Sequence, residues 1–267
     1  MRKTSIILSR ICLAIFVAQL LAGFIFDFSW LWGWIPLVLA LVLRFVATRQ
    51  LATHANTARE PIEVAPPVTG RWSALNSPAD KVPSHGVHDY GQAYAIDIVA
   101  EPEGRTRLAF GWWPIVRRNR DFPAFGAPLL AVADATVVSA VDHHRDHLSR
   151  NSYPALLYFL FEGLVREIGS PGTVTGNRII LDLGEGTYAM YAHLRRGSLA
   201  VREGERVRQG QPLAQCGNSG NSTEPHVHFQ LMDHPDLDLA RGLPFSWHGI
   251  GVPRNGEMFS VENVPTS

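Results

Sequence analysis

Two histidines, His226 and His228, close the stretch Gly217-Asn218-Ser219-Gly220-Asn221-Ser222-Thr223-Glu224-Pro225-His226-Val227-His228-Phe229-Gln230. They sit in an alternating polar and apolar run. A strand sends successive side chains to opposite faces, so residues two apart share one face. Two imidazoles so placed suit a shared metal, or one ligand beside one catalytic base. The Gly/Asn/Ser/Thr/Pro segment before them reads as a loop that delivers the strand to an open rim.

Three further stretches hold groups able to join that chemistry. Ser84 to Asp97 contains His85, His88 and Asp97, the last on a strand pattern. Tyr188 to Leu194 places His193 at a strand's end. Val201 to Ala214 reads as short elements turning at Gly204 and Gly210. Zinc takes His nitrogen and carboxylate oxygen in tetrahedral sites, and a catalytic site leaves the fourth position to water. One upstream His, Asp97 and one of the His-x-His pair supply three such donors. The remaining histidines are then free to move a proton and support an oxyanion. Other polar residues read as bland. Asp142 to His147 is expected to be a polar surface loop, Glu224 a loop residue and Cys216 a small core residue. No His-Glu-x-x-His helix is present.

The elements that must position these groups are short strands separated by Gly/Pro/Asp/Asn clusters. Candidates are Tyr94–Val99, Pro128–Ala133, Ala135–Val141, Arg178–Leu183, Thr187–Leu194 and His226–Leu231. The spacing predicts a mainly β domain over residues 70–267, an antiparallel sheet or partly open, barrel-like sandwich. Tyr153 to Ile168 is the exception. It reads as a helix with a proline in its first turn, inside an insertion at about 142–172. Residues Ile98 to Pro123 form a long connection, with Trp112, Trp113 and Arg117-Arg118-Asn119-Arg120. It reads equally as a substrate groove or as a solvated loop.

Ahead of this domain, Ile6 to Val46 is almost continuously apolar, broken by Arg10, Asp27 and Arg44. That is long enough for two membrane spans. With the break near Phe26 to Trp34, residues 1–48 read as a transmembrane helical hairpin, Ser5–Phe26 and Trp30–Ala47, and residues 49–69 as a linker. Lys+Arg and Asp+Glu balance at 24 each, and no nucleic-acid partner is indicated. Two cysteines, Cys12 and Cys216, lie in unrelated segments, so no disulfide is expected.

The motifs together resemble the lysostaphin-like (LytM-type) zinc metallopeptidases, whose members mostly cut peptide bonds in bacterial peptidoglycan. The residues that carry the resemblance are Tyr191-Ala192-His193-Leu194, the Gly204-to-Gln211 segment, Gly217 to Phe229, and Phe125-Gly126-Ala127-Pro128 with the strand that follows. The likeness covers roughly His85 to Leu231, less the insertion. It implies Asp97 and His228 as Zn2+ ligands, with His193 and His226 flanking the metal as base and oxyanion stabiliser. The sequence departs from the usual His-x-x-x-Asp, because Ala93 stands four before Asp97. A longer Ser-His-Gly version of the motif favours His85 over His88 as the first ligand.

The resemblance implies a zinc metalloendopeptidase acting on peptidoglycan. The alternative is a catalytically degenerate, membrane-anchored module that binds peptidoglycan or regulates a partner. Such a substrate puts the domain outside the cytoplasmic membrane. Arg2, Lys3, Arg10, Arg44 and Arg49 flank the spans and argue for the opposite orientation.

Overall fold

The computed structural model describes residues 2–26, 30–55, 59–104 and 107–262. Two apolar helices, α1 (Arg2–Ala22) and α2 (Trp30–Ala55), pack against each other. Both are long and apolar enough to cross a membrane. Of the expected break between them, residues 27–29 lie outside the described residues. Helix α2 runs on into the segment expected to be linker, most of which is irregular or short strand.

The strands are β1 (Ile62–Val64), β2 (Gly70–Leu75), β3 (Ile96–Ala100), β4 (Pro128–Leu130), β5 (Ala135–Val141), β6 (Arg178–Gly184) and β7 (Thr187–Ala192). After them come β8 (Arg206–Val207), β9 (Pro212–Gln215), β10 (Val227–Met232), β11 (Gly242–Leu243), β12 (Phe245–Trp247) and β13 (Met258–Val261). Between β5 and β6 lie α3 (Tyr153–Gly169) and the short α4 (Pro171–Thr175). Helix α3 starts where Ser152 accepts a hydrogen bond from the Ala155 amide, with Pro154 in the first turn.

The main sheet runs β13-β2-β3-β10-β7-β6-β5-β8, antiparallel at every pairing, with β11 on β10. Two small two-stranded sheets, β4-β9 and β1-β12, complete the domain. The fold is therefore mainly β and antiparallel, with helical pieces in an insertion. The core lies against one face of the sheet, around Tyr191, Phe229, Phe245 and Trp247. Each such ring contributes roughly 1.5–3 kcal/mol by burial. Tyr191 also accepts a hydrogen bond at its hydroxyl from the Val132 amide, at 3.0 Å, so its polar end is answered inside the core.

Strand β10 decides where the chemistry sits. All six of its residues are buried, and it pairs on both sides. Its register sets His228 opposite Asp97 of β3 on one side and opposite Ala192 of β7 on the other. Three distant segments thus meet at one point of the sheet.

Candidate metal centre

The opposite face of β10 carries His228 and Gln230, and His226 immediately precedes the strand at the same two-residue spacing. His228 Nδ1 lies 2.9 Å from Asp97 Oδ1. His85 Nε2 lies 3.0 Å from Asp97 Oδ2. The donor atoms of His85, Asp97 and His228 are all within 4.8 Å of one another. His88 joins neither of the two metal-capable groups found among the described residues, and His85 joins one.

His85 reaches Asp97 from twelve residues upstream because the chain folds back. Residues Asp89–Tyr94 form a tight turn in which Tyr90 (φ 60°) and Gly91 (φ 73°) are left-handed. A side chain at Gly91 would also meet Gln230 Nε2 at 2.9 Å, so glycine is required there twice over. The Ser84 hydroxyl donates to Ala95 O at 2.7 Å and tethers the start of the fold to its end.

The three donors fit a zinc ion. Two imidazole nitrogens and a carboxylate oxygen are its ordinary partners. The three donor atoms lie near enough to one another for a single ion to be shared among them. The outer ring atoms are also occupied. His228 Nε2–H donates to Gln230 Oε1 at 3.0 Å, and His85 Nδ1 meets the Ser84 hydroxyl at 3.0 Å. Such partners select the tautomer that turns the lone pair inward. Gln230 is in turn locked by donating from Nε2 to Tyr90 O at 2.8 Å. Asn76 Nδ2 donates to Asp97 Oδ2 at 2.8 Å. Burial disfavours the Asp97 carboxylate, but His85 and His226 nearby outweigh it and hold the group well below its ordinary pKa.

His193 and His226 stand beside this centre, with ring centroids 4.9 Å apart. His193 follows β7 in a left-handed conformation (φ 59°). Its Nδ1–H donates to Ser219 O at 2.8 Å, leaving Nε2 as the unprotonated nitrogen. Burial first, then His226 and His228, push its pKa well down, so the ring is neutral. His226 Nδ1–H donates to Glu224 O at 2.8 Å, and its Nε2 lies 3.4 Å from Asp97 Oδ1. Burial opposes its charge, but Asp97 outweighs burial and raises the pKa. The two neighbouring rings are thus shifted in opposite directions, His193 down and His226 up.

The loop before His226 is fixed by close backbone approaches. A Cβ at Gly220 would lie 2.5 Å from Gly176 N, and one at Gly217 would lie 2.3 Å from Arg195 N. His147 supports the same loop through Nε2 and Gly220 O at 2.9 Å. The rest of the Asp142–His147 run holds backbone. Asp146 accepts from the Asn218 and Arg196 amides, and Asp142 from the Gly197 amide. Glu224 pairs with Arg107, and Cys216 is buried and free, its thiol pushed up by burial.

Sequence reading missed Ser84, Asn76 and Gln230 as supports of the site. Gln230 had a signal, since it is the third polar residue on the His226–His228 face. Asn76 had none, because only strand pairing of β2 with β3 brings it to Asp97.

The model of peptidase family M23 matches residues 157–238, which include His193, His226 and His228 but not His85 or Asp97. The chain is 30% identical over 78 residues to the peptidoglycan DD-endopeptidase ShyA of Vibrio cholerae, covering 29% of this chain and 16% of that protein. It is 38% identical over 72 residues to the glycyl-glycine endopeptidase ALE-1 of Staphylococcus capitis, covering 27% of this chain and 19% of that one. The chain therefore spans less than a fifth of either relative's length. Among solved structures, the catalytic domain of lysostaphin from Staphylococcus simulans aligns with a TM-score of 0.30 at 22% identity, over 51% of this chain and 85% of that one. Residues 157–238, which hold the Tyr191–Leu194 and Gly217–Phe229 motifs, thus match peptidase family M23, and the chain is similar to segments of a peptidoglycan endopeptidase and a glycyl-glycine endopeptidase.

Proposed function

We propose that this chain is a membrane-anchored zinc metalloendopeptidase that hydrolyses peptide bonds in peptidoglycan. The observation that carries the reading is the convergence of His85, Asp97 and His228 on one point, with His193 and His226 beside it, each held through Nδ1 by a backbone carbonyl. His85, Asp97 and His228 would hold a zinc ion, which when bound would supply Lewis acidity and lower the pKa of a water toward about 7. His193 Nε2, its other nitrogen being committed to Ser219 O, would take the proton from the attacking water and pass it to the leaving amine nitrogen as the C–N bond breaks. His226, whose Nδ1 is committed to Glu224 O, stands beside the centre and would present Nε2 to the carbonyl oxygen as negative charge develops there. His85 lies with Asp97 and His228 although Ala93 stands at the usual histidine position, which supports a three-donor set over the degenerate reading.

The anchor is the α1–α2 hairpin, and the substrate sets the domain outside the cytoplasmic membrane. The basic residues that argue otherwise have another use. Arg10 pairs with Asp238 at 2.8 Å, Arg44 with Glu167 at 2.7 Å and Asp89 at 3.1 Å, and Lys3 with Asp236. They fasten the hairpin to the domain.

The test is zinc content of the full chain in detergent, with His85→Ala and His88→Ala beside it, followed by peptidoglycan digestion. One zinc per chain, lost only in His85→Ala, and release of new amino termini from peptidoglycan are expected. A chain that binds no zinc would overturn the proposal.

A further inference from the structure

Helix α3 is amphipathic in the wrong sense for a helix bathed in water. Its polar side faces the protein. Glu162 pairs with Arg150 at 2.8 Å and Arg166 at 3.2 Å, and Arg166 reaches Asn221 Oδ1 at 3.3 Å. Its outward side carries Leu157 (73% exposed), Leu160 and Phe161 (63%), then Leu164 and Val165. The spacing of 157, 160/161 and 164 forms one stripe. A surface helix of a soluble domain buries such a stripe, because leaving it wet forfeits roughly 25 cal/mol per Å². A contiguous exposed apolar surface of this kind marks a docking face.

The patch continues beyond the helix. Tyr153 at its first turn is edge-on to Phe110 at 4.8 Å and lies 4.7 Å from Trp112. Trp112 (72% exposed) and Trp113 (77%) project from that loop, and neither lines the metal cleft. Arg118 and Arg120 follow on exposed positions. At its other end α3 meets the hairpin, packing on α1 and reaching Arg44 of α2 through Glu167. Helix α3 therefore adjoins two helices long and apolar enough to cross a membrane. Helix α3 is 17 residues, about 25 Å, and bears polar residues along one side, so it suits lying in an interface rather than crossing it. Trp, Tyr and nearby Arg are the residues that settle at lipid headgroups.

We infer that α3 and the Phe110–Val116 loop lie in the lipid interface of the bilayer the hairpin spans, holding the metal cleft against the membrane surface. This rests on the membrane-anchor reading of the hairpin. The cleft, about 710 Å³, is lined by His85, His193 and His226 together with Arg44 and Thr48 of α2 and Phe159 of α3. Its wall is thus built partly from the membrane-proximal helices. The peptides it takes are those held close to the bilayer.

The full chain, with Cys12→Ser, is reconstituted into phosphatidylcholine–phosphatidylglycerol vesicles and carries a nitroxide at one engineered cysteine. Positions Leu157→Cys and Phe161→Cys report α3, Leu41→Cys reports the hairpin, and Glu205→Cys is an exposed control. Expected at 157 and 161 is frequent collision with oxygen and loss of collision with a water-soluble nickel chelate, as at 41, with the reverse at 205. Water-like behaviour at 157 and 161 with lipid-like behaviour at 41 overturns this inference alone, and the stripe then covers a protein partner. Water-like behaviour at 41 overturns the anchor and the inference together. A second variant, Leu157→Glu/Phe161→Glu, is expected to cleave soluble peptide normally and to lose cleavage of peptide tethered to vesicles. Equal loss on both substrates counts against it.

Discussion

Gln230 lends itself to a sharp test, because it touches the centre only through His228. Its Oε1 accepts from His228 Nε2–H at 3.0 Å while its Nε2 donates to Tyr90 O at 2.8 Å, and the residue is fully buried. Gln230→Leu keeps the volume and removes both bonds. Loss of an outer hydrogen bond to a ligating histidine costs about 10–100-fold in metal affinity, or about 1.4–2.7 kcal/mol. The two stranded partners cost a further roughly 1–3 kcal/mol each in stability. Gln230→Glu separates the two effects. Its carboxylate still accepts from His228, more strongly for being charged, but now faces Tyr90 O without a proton to give. Zinc affinity is therefore expected to fall in Gln230→Leu and to hold or rise in Gln230→Glu, while thermal stability falls in both. Affinity is read by competition with a chromophoric chelator and stability by calorimetry of the metal-free chain. Indistinguishable zinc affinity in wild type and Gln230→Leu, or an equal drop in both variants, would refute the claim that this bond orients His228.

Three more outcomes follow from the same geometry. His193→Ala is expected to keep its zinc and lose about 10²–10⁴-fold in turnover, the usual worth of a positioned base; metal analysis beside peptide release checks both halves, and loss of zinc would contradict the assignment. Gly220→Ala is expected to cost about 2–5 kcal/mol, since a left-handed residue (φ 73°) acquires a Cβ 2.5 Å from Gly176 N, and an unchanged denaturation midpoint would show that the loop can shift. Glu162 has its pKa lowered from 4.5: burial resists ionisation, but the hydrogen bond from Arg150 and the charge of Arg166 outweigh it. An acid with a depressed folded pKa contributes stability above its unfolded value and loses it as pH falls through the folded one. The gap in stability between wild type and Glu162→Gln should therefore be full at neutral pH and close progressively below about pH 4.5, and a gap independent of pH would exclude the ion pairs as its source.

Much of the site was legible in residue order because its parts are local. His226 and His228 share a face by strand alternation alone, and β10 is continuous from Val227 to Met232. Helix α3 was visible from its apolar run and first-turn proline, and it ends within a residue of the expected position. The two apolar N-terminal segments were equally plain, as composition alone marks them. Residue types and motifs likewise nominated Asp97 and His193.

What residue order left open was everything that depends on distant chain meeting. His85 and His88 could not be separated by spacing. In the fold, the left-handed turn at Tyr90 and Gly91 lies between His85 and Asp97, and His85 meets Asp97. Asn76 enters only through the β2–β3 pairing, and the β10 register alone sets His228 beside Asp97 and Ala192. Arg10 and Arg44 looked like interruptions in apolar helices until Asp238, Asp89 and Glu167 were found opposite them. Alternation and hydropathy are properties of neighbours in the chain, so the sequence by itself determined the strands, the helices and the candidate donors. Which donor reaches which partner depends on turns and register many residues away, and only the tertiary structure decided it.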